Sequence, residues 1–156
     1  MTFQTGYLTN REVTIWNLRR TIRNQSDIAR RLKVSRQAIH RALQRIDKKV
    51  ELALTEAAET NKLELRKLDK VNGILTAYSP AYKIPVVVSL SKANGLNVWY
   101  LYEGNCSECS QRLKCRELLL NEAKERGVKL NDDLETPPTI LALDIFSKYL
   151  EEETFG

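Results

Sequence analysis

The chain has 156 residues, 42% hydrophobic and 29% charged, which is room for one compact domain or two small ones but not for a large enzyme scaffold. The longest apolar run, Ile84 to Leu90, stops at Ser91-Lys92, and the N-terminus carries no charged-then-apolar leader pattern. A cytoplasmic protein without a membrane partner is therefore expected. The net charge of +5 is uneven: residues 1–50 hold 12 Lys and Arg against 3 acidic residues, whereas residues 51–156 hold 13 against 17. A basic first third points to a polyanion-binding module joined to something else.

Thr9-Asn10-Arg11-Glu12 is a capping box that opens a first helix, with Val13, Ile15, Trp16, Leu18 and Ile22 on its apolar face. Asn24 caps a second helix, with Asp27 in its first turn and Ile28, Ala29 and Leu32 facing inward. Lys33-Val34 turns the chain, and Ser35 caps a third helix whose inward positions are Ile39, Leu43 and Ile46. No Gly or Pro occurs between Gly6 and Gly73, so this helix is free to run on toward Val71, straight or bent. Leu43, Ile46, Val50, Ala53/Leu54, Ala57, Asn61, Leu65 and Leu68 recur at three- and four-residue steps, as in a coiled-coil seam. That stripe predicts a homodimer; the alternative is an amphipathic helix packed on its own C-terminal domain.

Beyond Asn72-Gly73 the residues 74–79, 85–90 and 96–102 read as strands, the last two joined by a hairpin turn at Asn94-Gly95. A helix from about Arg112 to Arg126 ends at Gly127, and Thr136-Pro137-Pro138 opens a last one. Asp132-Asp133 between them reads as capping or solvated charge. The expected fold is α+β. Residues 1–48 form a trihelical DNA-binding domain, 49–72 a long connecting and dimerisation helix, and 73–156 a small cysteine-containing sensor domain with antiparallel strands.

The stretch Gln25 to Leu43 resembles the bacterial and archaeal helix-turn-helix. Ala29 matches the small residue where the two helices touch, Val34 the apolar turn residue, Ser35 the cap of the recognition helix and Ile39 its β-branched inward residue. Lys33 stands where that family often has a left-handed Gly. The preceding Leu8-Thr9-Asn10-Arg11-Glu12 is similar to the opening helix of sigma-factor-region-four-like regulators, a group that includes the archaeal Tfx-like proteins. The resemblance covers about residues 8–50 and implies a transcriptional regulator of double-stranded DNA.

A recognition helix keeps one face for the core and offers the other to the major groove. The outward face here holds Arg36, Gln37, His40, Arg41 and Gln44, with Gln25 at the start of the preceding helix. Arg pairs with guanine and Gln with adenine edges, while Arg19, Arg20, Arg23, Arg30, Arg31 and Lys33 are expected on phosphates.

The three cysteines, Cys106, Cys109 and Cys115, are spaced C-x₂-C-x₅-C. This resembles the last three ligands of the four-iron cluster in endonuclease-III-like DNA glycosylases and in some nucleases, without the upstream fourth cysteine. The resemblance implies a four-iron (4Fe-4S) cluster; zinc with a non-cysteine fourth ligand, or no metal, are the alternatives. No nucleophile elbow, phosphate loop or zinc-protease motif occurs, so no enzymatic activity is expected. The rival functions are a DNA-processing accessory protein and a DNA-binding adapter with structural zinc. Tyr78, Tyr82, Trp99, Tyr100 and Tyr102 read either as half-buried sheet core or as the lining of a ligand pocket.

Overall fold

A computed structural model of the chain describes residues 7–102, 105–130 and 136–151. The expected caps start the first three helices. In α1 (Asn10–Thr21) the Thr9 hydroxyl accepts from the Glu12 amide at 3.2 Å, and the Glu12 carboxylate accepts from the Thr9 amide at 3.0 Å. The Asn24 side-chain oxygen accepts from Ser26 at the head of α2 (Gln25–Leu32), and the Ser35 hydroxyl accepts from Ala38 at the head of α3 (Arg36–Thr60). Lys33 ends α2 in the left-handed conformation, φ 56°, despite its Cβ. Its amide and that of Val34 fold back onto the carbonyls of Arg30 and Ala29, which fixes the angle at which α3 leaves. Trp16, Ile28, Ala29, Ile39 and Ile46 fill the space among the three helices.

Two expectations about the middle of the chain are corrected. α3 stops at Thr60, and residues 64–69, expected to continue the helix, form a strand, β1 (Glu64–Asp69). β1 pairs antiparallel with β2 (Ile74–Ser79), with a bulge between Leu65 and Lys67. The reason is backbone satisfaction: β2 would otherwise present a bare edge, and Lys62 turns the chain back onto it at φ 55°. β3 (Ile84–Ser91) and β4 (Gly95–Tyr100) complete a four-stranded meander in the order β1-β2-β3-β4, and the Asn94-Gly95 turn is present, Gly95 at φ 71°.

The stripe read as a dimer seam is the second correction. Leu43, Ile46, Val50, Ala53, Leu54 and Ala57 are buried in one core with Leu75, Ala77, Val88 and Leu90 of the chain's own sheet. Asn61 donates to the Ala57 carbonyl at 2.8 Å and accepts from the Tyr100 hydroxyl at 3.3 Å, so it is turned to its own chain as well. The opposite face of the sheet, through Ile74, Val87 and Leu101, packs on Leu119 and Ala123 of α4 (Arg112–Arg126) and on Leu141, Ile145 and Phe146 of α5 (Pro138–Glu151). The architecture is α+β in three layers: α1–α3, the antiparallel sheet, then α4 and α5. A boundary at residue 48 falls inside α3, and one at 72 inside the β1–β2 turn. Asp132-Asp133 lies outside the described residues. No helix among the described residues is long and apolar enough to cross a membrane.

The β1–β2 turn fastens the first layer to the third. Trp16 of α1 donates its indole N–H to the Lys70 carbonyl at 3.0 Å, and Arg20 donates to that of Val71 at 3.1 Å. From the other side, Arg126 of α4 donates to the carbonyls of Asn72 and Leu90 and is ion-paired with buried Glu122 at 2.7 Å. Gly73 has to be glycine here: at φ 67° a Cβ would lie 2.6 Å from the Leu90 carbonyl oxygen and 2.7 Å from the Trp16 ring.

Candidate nucleic-acid interface

α3 serves two layers along its length. Its inward residues Ile39, Ala42, Leu43 and Ile46 are buried, while Arg36, Gln37, His40, Arg41 and Gln44 are exposed on the opposite face. Gln25 at the head of α2 meets four of these: Gln25, Arg36, Gln37, His40 and Arg41 together line a shallow concavity of about 450 Å³. Five of the six polar residues expected to read bases therefore border one surface, and Gln44 continues it one turn further along α3.

The electrostatics of this layer follow from its ion pairs. All three acidic residues of the first fifty are engaged: Glu12 with Lys49 at 2.7 Å, Asp47 with Arg19 at 2.8 Å, and Asp27 with Arg30. The first two pairs link α1 to α3. Burial pushes the Glu12 carboxyl up, but the hydrogen bonds from Lys49 and Thr9 outweigh it and leave the group below the ordinary carboxylate range. Eight cations remain exposed with no acidic partner among the described residues. They are Arg36 and Arg41 in the concavity, Arg23, Arg31 and Lys33 around α2, and Arg11, Arg45 and Lys48 beside and beyond it. Arg11, Arg45 and Lys48 are missing from the set read off the sequence; the signal was there, since Arg45 and Lys48 lie one turn beyond Arg41 and Gln44.

Two expected phosphate contacts are not on this surface. Arg19 is held by Asp47, its side chain 16% exposed. Arg20, 14% exposed, lies over the Trp16 ring, bonds the β1–β2 turn and pairs with Glu125 at 3.6 Å. Burial, then the neighbouring Arg126 charge, lowers its pKa, against the pull of Glu125. These contacts tie α1 to the β1–β2 turn. Arg30 is exposed but shares its charge with Asp27.

The cysteines sit at the other end of the molecule from the β1–β2 turn, around the start of α4. Cys106 opens a short 3₁₀ turn (Cys106–Glu108), and Cys106 and Cys115 are half-buried while Cys109 is exposed; none is disulfide-bonded. Burial raises the Cys115 thiol pKa, and the charges of Cys109 and Cys106 raise it further. No group of three or more His, Cys, Asp or Glu side chains gathers as a metal site among the described residues.

Comparison of the chain with protein-family models, with curated proteins and with solved structures gave no match.

Proposed function

We propose that the chain binds double-stranded DNA sequence-specifically as a transcriptional regulator, α2 and α3 acting as a helix-turn-helix and the first turns of α3 entering the major groove. One observation carries the reading: every acidic side chain among residues 7–50 is ion-paired, while eight exposed cations around the polar face of α3 have no acidic partner among the described residues. A surface with that imbalance is built for a polyanion rather than for a neutral partner.

The division of labour follows from geometry. Arg36 and Arg41 offer forked guanidinium groups suited to guanine O6 and N7, and Gln37 and Gln44 offer amides suited to adenine N6 and N7. His40 lies between them on the same face. Arg23, Arg31 and Lys33 flank this face and suit phosphates, which add affinity without reading sequence. Neutralising about five phosphates predicts that log Kobs falls with log salt at a slope of about −4.5. Regulation has a physical route in the β1–β2 turn, since any shift of α4 acts through Arg126 on the carbonyls that hold α1.

Selection from a random duplex pool tests the proposal. Enrichment of a consensus carrying G and A at the positions facing α3 supports it; recovery of unenriched DNA by charge alone, or of no DNA, overturns it.

A further inference from the structure

The sheet outreaches the helix that covers it. α3 ends at Thr60, so Val88 and Leu90 are fully buried in its core while Ile84, on the same face of β3, is only half-covered. At that uncovered end Ile84, Tyr82, Tyr100 and Tyr102 line a concavity of about 570 Å³, within the roughly 300–1,000 Å³ of small-molecule sites. Tyr82 (69% exposed) and Tyr102 (56%) are the exposed aromatic residues among the described ones, and both stand at this one concavity.

The walls are set in place by the backbone. Ser79, buried, accepts from the Tyr82 amide through its hydroxyl and from the Lys83 amide through its carbonyl, which pins the β2–β3 turn. The Tyr100 hydroxyl is tied to Asn61, and the Tyr102 amide donates to the Tyr100 carbonyl. The Tyr82 and Tyr100 rings meet at 87° with centroids 5.7 Å apart, an edge-to-face corner. A flat aromatic ring fits such a corner by stacking on one ring and directing its positive edge at the face of the other.

Charge narrows the class. Among the described residues, no acidic side chain lines the concavity. Lys83, between the lining residues Tyr82 and Ile84, and Lys62, next to the Asn61 that holds Tyr100, are both exposed and have no acidic partner among the described residues. Cations carried next to the lining residues and to Asn61 favour an anionic substituent over a cationic one. We propose that this aromatic corner binds a small planar aromatic carboxylate. The site is separate from the DNA-reading face, and its test does not depend on that function.

Titration of the full chain with naphthalene-2-carboxylate, followed by tyrosine resonances and calorimetry, tests it against the neutral carboxamide, the cationic 2-naphthylmethylamine and the saturated decahydronaphthalene-2-carboxylate. The expected result is saturable binding of the aromatic acid, weakened about five-fold or more by Tyr82→Ala and by Tyr102→Ala with unchanged melting curves. Lys83→Gln should weaken the acid about three-fold and leave the carboxamide unaffected. No saturation at about millimolar acid, equal binding of the saturated acid, or tighter binding of the amine overturns the proposal.

Discussion

Arg20 on α1 and Arg126 on α4 donate to the same acceptor, the carbonyl oxygen of Asn72, at 3.4 and 2.5 Å. Two cations converge on one carbonyl because Glu125 and Glu122 lie beside them and carry the balancing charge. Arg20→Ala removes the donor to Val71 and one of two to Asn72, and it strips the cation from the face of Trp16. A loss of about 2–3 kcal/mol in unfolding free energy is expected in urea melts. DNA affinity measured well below the transition should change far less than for Arg41→Ala. A phosphate-binding Arg20 would give the reverse.

Leu54 decides what the α3 stripe is for. The side chain is fully buried against the chain's own sheet, so Leu54→Lys places an ammonium in an apolar core. The variant is expected to lose its near-UV circular dichroism and cooperative melting. A well-folded variant that differed from the parent only in sedimenting as a smaller species would restore the stripe as an oligomer seam.

Glu12 gives the fold an acid limb. Its carboxyl is held below the ordinary value in the folded chain, so its contribution is present above about pH 4.3, the unfolded value, and fades as pH falls through the folded one. Glu12→Gln should cost about 1 kcal/mol at pH 7 and progressively less below pH 4, read from urea melts at both pH values. An equal cost at both would mean that the charge of Glu12 adds nothing.

The thiols should differ in rate. Cys109 is exposed, whereas burial and two neighbouring thiols hold Cys115 above its usual pKa. Limited alkylation with iodoacetamide at pH 7.5, mapped by mass spectrometry, should mark Cys109 first and Cys115 more slowly. Preferential labelling of Cys115 would contradict this electrostatic picture.

Local chemistry was legible wherever a short-range signal decides the outcome. The three helix caps, the Asn94-Gly95 turn and the bounds of α4 all follow from neighbours within four residues. The errors arose where distant partners decide. Residues 64–69 have the composition of a helix continuation, and only the unpaired edge of β2 draws them into a strand. The α3 stripe has one periodicity whether it meets a second copy or its own sheet, so spacing cannot choose between them. Arg20 looked like any other basic residue of the first third because its partners lie more than fifty positions away.

On the proposed DNA-reading role, the exposed face of α3 reads bases while the cations around it hold phosphates. Fluorescence anisotropy against a selected duplex and a scrambled one, with Arg36→Ala, Arg41→Ala and Arg31→Ala, tests it most directly. Arg36→Ala and Arg41→Ala should each weaken the selected duplex by about 1–3 kcal/mol and the scrambled one much less. Arg31→Ala should weaken both alike and reduce the salt slope by about one. Equal losses on both duplexes for all three variants, or no change for any, would contradict the account.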